Sequence, residues 1–232
     1  RFLKLKKHAD PEKYEEEYDT ECDRFLKSIQ GNVTMVLCGA SLVSSASLRI
    51  LEPLKHRCEK INILYIKPET SLLSETKKLQ ERVVRNVLQQ YARSGVFSGI
   101  CMIDNEKVAE IVPDVSILEY YDNPIITLHG WLRIMPPEIC EKFMIYNGHP
   151  GLITDYPELK GKDPQIRAFE GIKEGKYNTA GAVLHKVVAG VDEGRIILQE
   201  RFNTFNLDLD DLFRILRDRS LYMWCKFLRR NI

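Results

Sequence analysis

Val33-Thr34-Met35-Val36-Leu37-Cys38, followed by Gly39-Ala40-Ser41, is an apolar run of strand length that stops on a turn into a helix. Consecutive apolar positions, rather than alternating ones, mark a strand covered on both faces. Beyond the turn, Leu48 and Leu51 lie on the apolar side of a helix that should stop before Pro53. Ile61-Asn62-Ile63-Leu64-Tyr65-Ile66 is the next strand, ended by Lys67-Pro68. Strand, crossover helix and strand form a βαβ unit, for which right-handed parallel pairing is the rule.

The same alternation continues outward. Residues 76–94 place Leu79, Val83, Val84, Val87, Leu88 and Tyr91 at helical spacing, closed by Gly95. Short apolar strands are expected near residues 100–103, 108–112, 115–118 and 125–128. A helix begins around Pro136-Pro137-Glu138, a strand covers 144–146 and a helix covers 165–174. Two strands, 180–188 and 195–202, flank the turn Gly190-Val191-Asp192-Glu193-Gly194. Residues 209–228 close the pattern as an amphipathic helix with Leu212, Ile215, Leu216, Trp224 and Leu228 on its apolar face. The expected fold is therefore α/β, a doubly wound and mostly parallel Rossmann-like sheet with a C-terminal amphipathic helix. It is expected as one domain over residues 1–232, with a helical extension over 1–30 and a softer seam at 114–124.

Composition excludes several classes. Thirty-four Lys and Arg against 33 Asp and Glu, interspersed along the chain, provide no basic surface for nucleic acid or an anionic membrane. No apolar run approaches the length of a membrane helix, and residues 1–10 are charged without a signal-like apolar core. The six cysteines are scattered singly without metal-ligand spacing, as reduced core thiols are. A cytoplasmic protein without a metal is the expectation.

Chemistry concentrates in Ile145-Tyr146-Asn147-Gly148-His149-Pro150, where a buried strand ends on an amide and an imidazole. Open α/β sheets place their sites at such strand ends. In extended chain, Asn147 and His149 point to the same side. Asp192 lies in the second polar turn. Taken alone, Asn147-Gly148 reads equally as a turn, His149 as a satisfied polar residue and Asp192 as a turn-former. His185, in mid-strand, reads as structural, and His129 either lines the site or packs.

The segments His129-Gly130-Trp131-Leu132-Arg133-Ile134-Met135, Asn147-Gly148-His149-Pro150-Gly151-Leu152, Gly181-Ala182-Val183-Leu184-His185 and Val191-Asp192-Glu193-Gly194-Arg195, in this order, resemble the folate-dependent formyltransferase family. The family includes the glycinamide ribonucleotide, methionyl-tRNA and amino-sugar enzymes. The resemblance implies formyl transfer from 10-formyltetrahydrofolate to a small amine acceptor, with Asn147, His149 and Asp192 as catalytic residues. Such a reaction passes through a tetrahedral oxyanion that needs a neutral donor and a proton-delivering group. It also implies that the pterin meets backbone groups of Leu132, Arg133, Ile134 and Met135 and of Val188, Ala189, Gly190 and Val191. Gly39, Ser41, Ser44, Gly151 and Arg167 would contact the acceptor, whose phosphate the first turn would hold at a helix N-terminus.

Two departures stand against this. The family's Ser-Leu-Leu-Pro becomes Gly151-Leu152-Ile153-Thr154, closer to the sugar enzymes, and a charged loop follows over 155–163. The first turn lacks the purine enzymes' fingerprint, so helix capping by Ser44 or Ser45 is an alternative use. Residues 33–110 also faintly resemble tubulin-like proteins, without their glycine-rich phosphate loop. Two further readings therefore stay open: a hydrolase of formyl-folate, and a non-catalytic assembly protein.

Overall fold

A computed structural model describes residues 33–38, 48, 61–68, 73–94, 99–104 and 125–231. Seven strands form one sheet: β1 (Val33–Cys38), β2 (Ile61–Lys67), β3 (Gly99–Asp104), β4 (Ile125–His129), β5 (Met144–His149), β6 (Thr179–Lys186) and β7 (Ile196–Asn203), in the order β3-β2-β1-β4-β5-β6-β7. Helices α1 (Glu75–Ser94), α2 (Pro137–Lys142), α3 (Pro164–Lys173) and α4 (Leu209–Asn231) accompany it, with a short 3-10 turn at Pro157–Leu159.

β1 pairs in parallel with both β2 and β4, so the chain builds outward through β3, returns to the middle and builds the other way. That reversal is the topological switch point, beside which α/β sheets bind ligands at strand carboxyl ends. β4 and β5 are parallel; β6 runs antiparallel to β5, and β7 antiparallel to β6. The sheet is thus mixed at one end and parallel through the rest, as the apolar runs of β1, β2 and β4 require.

Each face has its own core. On one, Met35, Ile63, Tyr65, Ile125, Tyr146, Ala182 and Leu184 pack with Val84 and Leu88 of α1 and with Leu216, Trp224 and Phe227 of α4. On the other, Val36, Ile126, Leu128 and Ile145 pack with Met135, Ile139, Cys140 and Phe143 around α2. α4 is fastened at its start by Asp208, whose Oδ1 accepts the Asp211 N–H at 2.7 Å. Acidic side chains occupy its first turn and Arg229 and Arg230 its last, the polarity that suits a helix dipole. Among the described residues, no helix is long and apolar enough to cross a membrane.

Periodicity located the described elements to within a few residues. The main difference is β5, expected over 144–146 and observed as Met144–His149. Asn147 and Gly148 look like turn-formers, but in the sheet they are paired opposite His185 and Leu184 of β6. Gly148 has a packing reason as well: a Cβ there would lie 3.0 Å from Trp224 Nε1. The expected 1–30 helix, the strands at 108–112 and 115–118, the seam at 114–124, and Gly39, Ser41 and Ser44 lie outside the described residues. Leu48 is helical and buried.

Candidate active site

β5 carries Ile145, Asn147 and His149 on the α2 side of the sheet, while Tyr146 and Gly148 face α4. Asn147 is opposite His185, and His149 is opposite Val183. Directly opposed residues share a face with their Cβ atoms about 5 Å apart. Asn147, His149 and His185 therefore occupy one patch. The turn after β6 folds back over that patch and brings in Asp192, which adopts the left-handed backbone conformation at φ 51, a region where Asp is tolerated.

Asp192 is the hub. Its Oδ2 is 3.2 Å from His149 Nδ1 and accepts the Gly161 N–H at 2.8 Å. Its Oδ1 is 3.3 Å from His185 Nε2, a contact that is attractive when that ring is protonated and is not aligned as a hydrogen bond. His185 is held from its other side, with Nδ1 3.0 Å from the Lys186 carbonyl. Burial works against the Asp192 charge, but His185, His149 and the Gly161 N–H outweigh it and hold the carboxyl at about 2.

His149 is 5% exposed. Burial pushes its imidazole below the ordinary value, and Asp192 and the Leu159 carbonyl push back. The Leu159 oxygen is 2.9 Å from Nε2. A carbonyl and a carboxylate can both only accept, but of the two contacts only the one to Leu159 is aligned as a hydrogen bond, which places the ring proton on Nε2 and leaves Nδ1 facing Asp192. Asn147 is half-buried, and its amide forms no side-chain hydrogen bond among the described residues. It is thus left available as a donor.

His129 is on the opposite face. It is fully buried against Trp224, ring centroids 4.5 Å apart, with Nε2 3.0 Å from Thr127 Oγ1. Of its two open readings, packing is the one the fold selects. Burial drives its pKa down from 6.5 to about 3. The unfolded chain therefore binds the extra proton between those values, and His129 contributes stability that is complete above pH 6.5 and lost as pH falls toward 3. Urea midpoints measured from pH 7 to pH 4 should fall less steeply in His129→Phe than in the parent.

Two candidate acceptor contacts prove to be internal. Gly151 is buried, and a Cβ on it would lie 2.9 Å from His149 Nε2 and 3.1 Å from the Pro164 side chain. It makes room for the imidazole. Arg167 points its guanidinium at main-chain carbonyls: Nε–H to Lys162 at 3.0 Å, Nη1–H to Glu158, and Nη2–H to Leu159 at 3.2 Å and Lys160 at 2.7 Å. Little of it remains to meet a phosphate.

The two loops expected to meet the pterin lie on the face that carries the patch. Leu132 and Ile134 are 97% and 70% exposed beyond the positive-φ Gly130, whereas the Met135 side chain turns into the core. Arg133 is exposed. Val187, which leads into the second loop, packs on the cluster that holds Met135. In that loop Val188 and Gly190 are half-buried, while Ala189 and Val191 are exposed.

The sequence matches the Formyl transferase family over residues 55–218, more than half of its length. The chain belongs to this family. A formyl transferase from Dictyostelium discoideum, a phosphoribosylglycinamide formyltransferase, is 26% identical over 209 residues, covering 85% of this chain and 97% of that protein. The crystal structure of the phosphoribosylglycinamide formyltransferase from Anaplasma phagocytophilum superposes with a TM-score of 0.61 at 18% identity, covering 86% of each chain. An N-formyltransferase from Helicobacter canadensis, solved with folinic acid and dTDP-3-aminofucose, superposes with a TM-score of 0.53 at 18% identity, covering 85% of this chain and 63% of that one. The formyl transferase match begins at residue 55 and so takes in more than half of the stretch that faintly resembled tubulin-like proteins.

His185, the Gly161 N–H and the Leu159 carbonyl are the contributors that sequence reading underrated. His185 precedes Asp192 by seven positions, but no spacing rule announces a contact across a folded-back turn. Main-chain groups leave no mark in a sequence at all. Among the described residues, no group of three or more His, Cys, Asp and Glu side chains is arranged to hold a metal ion.

Proposed function

We propose that the protein transfers a formyl group from 10-formyltetrahydrofolate to the amine of a small acceptor. The observation that carries this reading is the buried His149–Asp192 pair at 3.2 Å, set beside the uncommitted amide of Asn147. As the amine nitrogen bonds to the formyl carbon, the carbonyl oxygen gains negative charge, and the Asn147 amide can donate to it. The attacking nitrogen must lose a proton, and the folate nitrogen must gain one as its bond to carbon breaks. His149 Nδ1 suits that transfer, directly or through one water, because burial keeps the ring neutral and Asp192 stabilises the cation it becomes. The exposed apolar side chains of Leu132, Ile134 and Val191, in loops on the face that carries the patch, suit a flat ring system. The family match and the folinic acid complex of a structural relative add support for a folate donor.

The acceptor classes to try first are phosphate-bearing ribonucleotides and nucleotide-linked amino sugars, after the relatives described above. The test is release of tetrahydrofolate from 10-formyltetrahydrofolate with a panel of such amines and with none. Release that requires an amine, and falls with Asn147→Ala, is expected. Release at the same rate without any amine would make the protein a hydrolase, and no release in any condition would leave the assembly-protein reading standing.

A further inference from the structure

Between β5 and α3 the chain runs through a charged loop, 155–163, whose main chain meets both members of the His149–Asp192 pair. The Leu159 carbonyl accepts from His149 Nε2 at 2.9 Å, and the Gly161 N–H donates to Asp192 at 2.8 Å. Leu159 is the last residue of the short 3-10 turn and Gly161 lies beyond it, so no α-helix or strand ladder sets the direction of either group. What fixes it is Arg167, one turn into α3, whose fork reaches the carbonyls of Glu158, Leu159, Lys160 and Lys162. The Leu159 oxygen is shared: it accepts from Arg167 Nη2 at 3.2 Å and from His149 Nε2. A planar guanidinium with five donors can hold several carbonyls in one arrangement, which an ammonium cannot do.

We propose that Arg167 is a positioning residue for His149: by locking the 158–162 main chain it aims the Leu159 carbonyl at Nε2, which fixes the ring's tautomer and reserves Nδ1 for proton transfer. Gly151 belongs to the same arrangement, since any side chain there would push the imidazole off the carbonyl. Tyr156 anchors the start of the loop independently, its hydroxyl 2.9 Å from Thr179 Oγ1. Loss of Arg167 should therefore disturb the loop next to the site more than its attachment to the sheet. The inference rests on the formyl-transfer reading for its catalytic consequence, but not for its structural one.

The experiment uses the full chain with Arg167→Ala and Arg167→Lys. Arg167→Lys keeps the charge without the fork and serves alone should the alanine variant fail to fold. A proton–nitrogen NMR spectrum should show a solvent-protected His149 Nε2–H in the parent, assigned by its loss in His149→Gln. That resonance should vanish or broaden in both Arg167 variants. Turnover should fall by roughly 10²-fold in kcat, as expected for a misplaced catalytic group, with KM for the amine changed only a few-fold. A retained Nε2–H resonance would overturn the proposal, and a rise in KM at unchanged kcat would return Arg167 to acceptor binding. If the parent turns over no amine, the formyl-transfer reading fails, and the NMR comparison still decides the positioning role.

Discussion

Replacing Asp192 by Asn should lower kcat for tetrahydrofolate release by roughly 10²- to 10⁴-fold, the span of positioned acid–base catalysis. Asn has nearly the same shape and can still accept the Gly161 N–H through its oxygen, so the turn should hold. What it lacks is the negative charge 3.2 Å from His149 Nδ1 and 3.3 Å from His185 Nε2. Without that charge the imidazolium formed during transfer is buried with no counter-ion, a costly state. KM for the folate should change little. A variant keeping more than a tenth of parental kcat would remove Asp192 from the mechanism. The carboxyl is held at about 2, below its usual 3.8. Its stabilising contribution is therefore complete above about pH 4 and lost as pH falls toward 2, a loss that should be absent from Asp192→Asn.

Trp224→Ala should destabilise the fold by about 3–5 kcal/mol, the usual cost of truncating a buried aromatic residue. Trp224 is 3% exposed, packs at a tilt on His129 with ring centroids 4.5 Å apart, meets Phe227 edge-on at 5.8 Å and backs Gly148. The urea midpoint should drop by roughly 1–3 M. Arg214→Ala on the same helix removes only an exposed pair with Asp211 and should cost less than about 1 kcal/mol. Because Gly148 separates Asn147 from His149, turnover should also fall in Trp224→Ala at temperatures where the protein is still folded. An unchanged midpoint would mean that α4 is not the clamp on this face of the sheet.

Both effects meet in β5, where alternate side chains serve different masters. Ile145, Asn147 and His149 face the site, while Tyr146 and Gly148 face α4. A single strand thus couples the packing of one face to the placement of catalytic candidates on the other. That coupling explains why a glycine lies between the amide and the imidazole.

Much of this was legible in the linear order of residues. Apolar runs and helical spacing are local properties, so β1, β2, α1, α3 and α4 could be located from periodicity to within a few residues. Asn147, His149 and Asp192 could be singled out because polar groups at the ends of buried strands, in this order, match a chemistry with a stated need for them. The sequence could not say which face His129 would take, since a polar residue at a strand end reads alike on either side; the opposing Trp224 on α4 decides it. Nor could it say that Arg167 would turn inward. A guanidinium serves phosphates and carbonyls equally well, and only the folded-back 158–162 main chain presents the carbonyls. The sequence by itself therefore determined the order of strands and helices and the chemical types in the site. The tertiary structure alone decided which polar groups meet, because Asp192 and Leu159 are brought to the His149 imidazole, and His185 and Gly161 to the Asp192 carboxylate, by chain reversals and main-chain atoms that carry no residue-specific signal.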